Sequence, residues 1–294
     1  MRILLLCCLS LLVACQSRGV LPPPAPIASE GRDHADLGVI LDLRSGERIT
    51  PQRLVERLAR ASRVVVGEQH DNPDHHALQL WLSRELAAQR PQGSVLLEML
   101  SPSQQTRVDQ VRGETRAGRP PLDAIRALAW QPGWDWAMYG ALVRYQLRQP
   151  YPLLAANLDR KEIMRIYQQR PALQGQASTA AAVQQRLQRD IRESHCGLLP
   201  ESQVPAMLAV QQQRDRRMAE ALLAAPRPSL LLAGAFHARK DLGVPLHLAD
   251  LGAGQGNAVL MLAEVGRQVD ASMADYVWFT AAQPEQDHCA KLRP

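Results

Sequence analysis

Lysine and aromatic residues are scarce in this chain of 294 residues. Only three of its 34 basic residues are lysine, there are two phenylalanines, and aromatics make up 4 %. No basic run is interleaved with aromatics, which argues against a nucleic-acid partner. The P-loop, the Gly-x-Ser-x-Gly elbow and the His-Glu-x-x-His helix are also missing, and no Cys-x-x-Cys-His appears, which excludes covalent c-type haem attachment. Gly252-Ala253-Gly254-Gln255-Gly256 has the glycines of a nucleotide loop. It precedes an apolar run instead of following a strand, so it reads as a turn before a strand.

What is present begins with an address. Met1-Arg2 and the apolar run Ile3 to Ala14 are too short to span a bilayer, and Leu12-Val13-Ala14-Cys15 has the form of a bacterial lipoprotein signal. An ordinary secretory signal with a chance cysteine is the alternative. Cleavage before Cys15 leaves that residue lipidated at the mature N-terminus. Gln16 stands where inner-membrane lipoproteins often carry aspartate, so the expected location is the outer membrane, on its periplasmic face. The net charge of +5 falls to +4 once Arg2 leaves. Residues 15–36, with Leu21-Pro22-Pro23-Pro24-Ala25-Pro26, read as an extended tether without a core to join. Residues 37–294 are enough for one large domain, and the 46 % hydrophobic content supports a packed body. Of five cysteines only Cys196 and Cys289 remain after cleavage and lipidation. In an oxidising compartment a disulfide between them is expected, with two buried free thiols as the alternative.

The body is organised around Arg63-Val64-Val65-Val66-Gly67-Glu68-Gln69-His70. Three β-branched residues predict a buried strand, Gly67 a sharp turn ending it, and Asn72-Pro73 a capped helix start. Other apolar runs end similarly, at Glu98, Asn157 and His237. As parallel neighbours these strands would turn Glu68, His70, Glu98, Asn157 and His237 into one crevice beyond their carboxyl ends. The fold class expected is α/β, a mostly parallel sheet with flanking helices plus a smaller helical lobe, mainly residues 161–225. His75 and His76 fall in the first turn after Pro73, where the positive dipole end favours neutral imidazole. At least one of them is expected to face solvent. Three of five tryptophans lie in Trp130 to Trp136, and Trp136, Tyr139, Leu142 and Val143 share a helical face that reads as a core seam. Arg239 and Lys240 beside His237 form a natural clamp for a ligand carboxylate.

Six stretches together carry a resemblance: Val64 to Gln79, Leu96 to Met99, Trp134 to Tyr139, Ala155 to Arg160, Gly234 to Pro245 and Ala274 to Thr280. In these, in order, the sequence resembles the ChaN family of haem-binding uptake lipoproteins, related to Tiki and erythromycin-esterase-like hydrolases. The resemblance implies haem held between two subunits, a tyrosine on iron, and a histidine and a basic residue on the propionates. Tyr139 is then the candidate iron ligand, with Tyr276 as rival and Tyr145 and Tyr151 behind it. His237 with Lys240 or Arg239 would hold propionates. The implied partners are haem, a second copy of the chain and an outer-membrane haem receptor, with the bilayer reached through acylated Cys15. The related hydrolases use glutamates and histidines matching Glu68, His70, Glu98 and His237, so metal-assisted hydrolysis is the alternative function. Mass spectrometry of the mature N-terminus should find an acylated Cys15; an intact or differently cleaved signal would refute the export reading.

Overall fold

The computed structural model describes residues 19–287 and 289–290, so the signal segment and Cys15 lie outside the described residues. The chain enters the sheet through a hairpin, β1 (Ile40–Asp42) and β2 (Glu47–Ile49), whose turn uses the positive φ of Gly46. Thr50 then caps α1 (Pro51–Ala59) by accepting from the Arg53 N–H, with proline at the first helical position. Next come β3 (Arg63–Glu68) and α2 (Pro73–Gln89), the latter capped by Asn72. After β4 (Ser94–Leu97) the chain forms α3 (Gln105–Arg116), the short α4 (Ala124–Ala127) and α5 (Trp136–Leu147) before β5 (Leu153–Ala155). Helices α6 (Arg160–Gln169), α7 (Ala181–Ser194) and α8 (Val204–Ala224) lead to β6 (Ser229–Gly234), and α9 (Ala235–Ala238) and α10 (Val244–Asp250) to β7 (Asn257–Glu264) and β8 (Tyr276–Thr280).

The strands form one sheet in the order β2-β1-β8-β7-β3-β6-β4-β5. From β8 to β5 the neighbours are parallel, and the β1–β2 hairpin joins antiparallel at the β8 edge. The expected α/β class is found. Both faces are covered, which is why the central strands are apolar without alternation. Val64, Val66, Leu230 and Leu232 point to the core shared with α1, α2, α3 and α5. Val65, Leu231 and Ala233 point to the core under α8 and α10.

The helical lobe is built by α6 and α7 on α8, around small clusters such as Leu187, Ile191 and Leu208. Helix α8 belongs to both parts, since its later residues Met218, Ala219 and Leu222 pack on the sheet. Gly67 does not end its strand. It lies within β3, and a Cβ there would approach the Met261 sulfur at 2.5 Å and the Ala235 backbone at 3.2 Å. Its bare backbone lets α9 pack against the strand, so the residue serves close approach instead of a turn.

The proline-rich stretch is extended but docked. Gln52 and Glu85 side chains accept from the Val20 and Leu21 N–H groups at 2.7 and 3.3 Å, and Trp81 Nε1 donates to Leu21 O at 3.0 Å. Asp74 accepts from the Ile27 N–H at 2.5 Å, and Glu30 bridges to Ala282. The physical reason lies in α2, which buries residues all round its axis and so needs a cover beyond the sheet, α1 and α5. Cys196 and Cys289 are joined by a disulfide, Cα atoms 5.9 Å apart, tying the tail to the end of α7. Deleting residues 19–30 should lower the melting temperature and red-shift the tryptophan fluorescence; a melt identical to that of the undeleted chain would show the docked stretch to be dispensable.

Candidate functional site

The site stands at the carboxyl ends of β3 and β6, which pair in register so that Glu68 lies beside Gly234. Glu68 is buried, and its Oε1 accepts from the Tyr139 phenol at 2.5 Å and faces His70 Nδ1 at 2.8 Å. His76 Nδ1 lies 3.2 Å from the other carboxylate oxygen. The N-cap of α5 at Asp135 sets Tyr139 one turn into that helix, over the sheet, and the same turn brings Trp134 edge-on to His70 at 5.0 Å. Burial works against charge on the His70 ring. The Glu68 hydrogen bond and the fields of Glu98 and Glu68 outweigh it, and the imidazole is raised above its ordinary value. Burial first, then the Glu68 charge, push the Tyr139 phenol far up, so it is a neutral donor in the free chain.

A second cluster adjoins the first. His237, in α9 immediately after β6, has Nδ1 2.6 Å from Asp215 of α8 and Nε2 3.3 Å from Glu98 beyond β4. The remaining Glu98 oxygen accepts from the Gly234 N–H at 2.7 Å. Burial opposes the imidazolium, but Glu98 and Asp215 prevail and push His237 up to about 10. Burial would likewise raise Glu98; the charges of His237 and His70 hold it well below the usual carboxylate range. Gly234 joins the two clusters, because a Cβ there would stand 2.7 Å from His70 Nε2. Only glycine leaves the His70 ring its place.

Above these groups opens a cavity of ≈ 530 Å³ between the sheet end and α7. Glu68, His70 and His237 lie at its floor, and Leu187, Ile191, Phe236 and Val269 among its walls. Phe236 is 55 % exposed.

Sequence reading foresaw Glu68, His70, Glu98 and His237 meeting, and they do. Asn157 instead turns behind Glu98, donating to its carbonyl at 3.0 Å. Tyr139 is 1 % exposed and sits behind His70, whose Nδ1 is 3.1 Å from the phenol oxygen. Arg239 lines the cavity and is forked onto Asp241, while Lys240 turns away to Asp275 at 2.8 Å. Tyr276 is on β8, Tyr145 on α5 and Tyr151 just before β5; none of these three, nor Tyr139, is among the residues lining the cavity. Both turn histidines are buried, contrary to the expected exposure. His75 accepts from the Gln69 N–H at 2.8 Å and meets Thr280 Oγ1 at 3.0 Å. It is held neutral by burial, pushed down to about 3. Asp215 escaped the sequence reading. It sits in a Gln- and Arg-rich helix whose local pattern gives no sign of a carboxylate turned inward.

His237 stands above its ordinary value of 6.5, so the stability its charge contributes is complete below that pH and is lost as pH rises toward about 10. Nitrogen-resolved NMR of the histidines should find the His237 ring still doubly protonated at pH 8, and Glu98→Gln should lower its titration; a midpoint near 6.5 in the native chain would contradict this charge assignment. Removing the ring in His237→Ala leaves two buried carboxylates unpaired and should cost about 3–5 kcal/mol of stability, measured by denaturant unfolding.

Residues 54–248 match the family described as haem-binding uptake, Tiki superfamily, ChaN. The fold is similar to that of ChaN of Campylobacter jejuni, solved in a study of its cofacial haem binding, with TM-score 0.74 and 30 % identity over 82 % of this chain and 95 % of that one. A mutant of the erythromycin esterase EreC in its open conformation aligns with TM-score 0.47 and 13 % identity, over 87 % of this chain and 85 % of the other. No curated protein matches. With the match spanning most of the chain and both sheet-end clusters inside it, this protein belongs to the ChaN family of haem-binding uptake proteins, in the Tiki superfamily.

Proposed function

We propose that this chain binds haem in the cavity over Glu68 and His70 and serves haem uptake. One observation carries the reading: a largely apolar cavity opens directly over a phenol–carboxylate–imidazole cluster, in a chain of a haem-binding family. The residues fit the group. The cavity lies within the roughly 300–1,000 Å³ of cofactor pockets, its walls suit an apolar macrocycle, and both phenolate and imidazole are iron donors. Bound haem would supply a ferric iron for one of these donors to hold.

Tyr139 is the donor we propose. Phenolate is a hard anion suited to ferric iron, and Glu68 Oε1, 2.5 Å away, is placed to take the proton. His70 covers the phenol, and its side chain is 44 % exposed, leaving it room to turn aside. His70 is the competing donor, favoured by its place in the cavity lining and by the Glu68 contact that fixes Nδ1 and leaves Nε2 for a ligand.

The proposed assembly is a dimer joined by haem that the two copies share, its propionates turned toward basic groups at the cavity rim. Cofacial haem binding in the Campylobacter protein supports it. Haem then promotes dimerisation by linkage. The proposed location is the outer membrane, periplasmic face, through acylated Cys15, with an outer-membrane haem receptor as partner. The Cys196–Cys289 disulfide suits that oxidising compartment.

Hydrolysis is the second reading, favoured by the half-exposed His70 backed by a buried carboxylate, the arrangement of an oriented general base. In its metal-assisted form Glu68, His70, Glu98 and His237 would act together. Among the described residues no three His, Cys, Asp or Glu side chains converge as a ligand shell.

Absorption and electron paramagnetic resonance spectra of purified protein with ferric haem should show tyrosinate coordination, lost in Tyr139→Phe and kept in His70→Ala. A histidine-type spectrum in the native chain, kept in Tyr139→Phe and lost in His70→Ala, would transfer the ligand to His70. No binding by the native chain, with ester cleavage that His70→Ala abolishes, would establish the hydrolytic reading instead.

A further inference from the structure

The charges around the cavity single out a residue that the functional reading leaves unused. Nearly every ionic group lining it is already engaged within the chain. Glu68 is held by His70 and Tyr139, Asp190 by Arg186, and Glu264 by Asn72 and the Gln283 N–H. His237 has a carboxylate on each ring nitrogen. Of the two arginines in the lining, Arg239 is forked onto Asp241, with contacts of 2.8 and 2.5 Å. Lys240 is outside the lining and bonded to Asp275 and the Ala271 carbonyl.

Arg267 is different. Among the described residues its side chain has no ion-pair or hydrogen-bond partner, yet it lines the cavity. Its backbone N–H donates to Glu264 O at 3.1 Å, which fixes the loop leaving β7 at the cavity rim. Val269 follows on the same loop, and the exposed Phe236 ring also lines the cavity. A guanidinium presents a planar fork that matches a carboxylate bidentately and is weakly hydrated, so it gives up little on binding one. An unspent fork at the rim of an apolar cavity suits a flat ligand with an acidic edge.

Resting on the haem reading, we infer that Arg267 anchors a propionate of the bound haem, while Arg239 and Lys240 stay on their internal aspartates. The rim then discriminates for the free acid: a porphyrin whose propionates are esterified keeps its apolar contacts and loses the anchor.

The test compares ferric haem with its dimethyl ester on the full mature protein, by absorption titration, for the native chain, Arg267→Ala, Arg267→Lys and Lys240→Ala. Arg267 is exposed, so its variants should melt as the native chain does. A charge-assisted hydrogen bond lost from a binding site corresponds to a loss of about tenfold or more in affinity. Arg267→Ala should show that loss for haem and none for the ester. Arg267→Lys should recover part of it, and Lys240→Ala should bind haem as the native chain does. Equal affinity of Arg267→Ala and the native chain for haem, or equal native affinity for acid and ester, would overturn the assignment. Failure of the native chain to bind either porphyrin would overturn the haem reading, and the anchor with it.

Discussion

Two carboxylates buried at the same end of the sheet set the terms for this structure. Glu68 and Glu98 stand at the carboxyl ends of β3 and β4, either side of β6, and neither can stay ionised in a dry interior without a positive or proton-donating partner. The fold supplies those partners from four directions. Helix α2 brings His76, the β3–α2 turn His70, α5 Tyr139, and α9 His237, which Asp215 of α8 completes from behind. Each of these elements starts or packs where it does because a cap, a proline or a glycine puts it there. Asn72 is the plainest example: it caps α2 and also donates to Glu264 and the Ala281 carbonyl, locking the helix start to the far strands.

The same compensation explains which groups are free to meet a ligand. Groups that share a buried proton or charge are committed inside the chain, His237 most of all. Those at the cavity surface are less so: His70, half exposed, and Phe236 and Arg267 at the rim. A phenol held neutral by burial and by Glu68 is a latent donor, since becoming phenolate requires both a proton acceptor and a cation to face. Glu68 provides the first, and the iron of a bound haem would provide the second.

Much of this could be read in the sequence, for identifiable reasons. Strand β3, the turn carrying Glu68 and His70 and the capped start of α2 are local patterns, and local patterns fix local structure. That Glu68, His70, Glu98 and His237 converge follows from parallel pairing, which places successive strand ends on one edge. Three features could not be read this way. Asp215 lies on α8 among Gln and Arg, and only the packing of that helix against α10 and the sheet turns it inward. Gly67 looks like a turn signal, and its purpose appears only when α9 rests on β3. The proline-rich stretch has no periodicity to reveal that it covers α2. Each depends on a neighbour remote in sequence, which neither propensity nor spacing encodes.

The central claim is that ligand chemistry takes place over Glu68 and His70 at the cavity floor, with Tyr139 behind His70. Iron-edge anomalous diffraction from crystals of the protein grown with ferric haem tests it most directly, because the iron reports its own position. The account predicts an iron peak in the cavity between the sheet end and α7, within bonding distance of a side chain from this cluster. An iron peak elsewhere on the chain, or haem bound with its iron far from Tyr139 and His70, would contradict it.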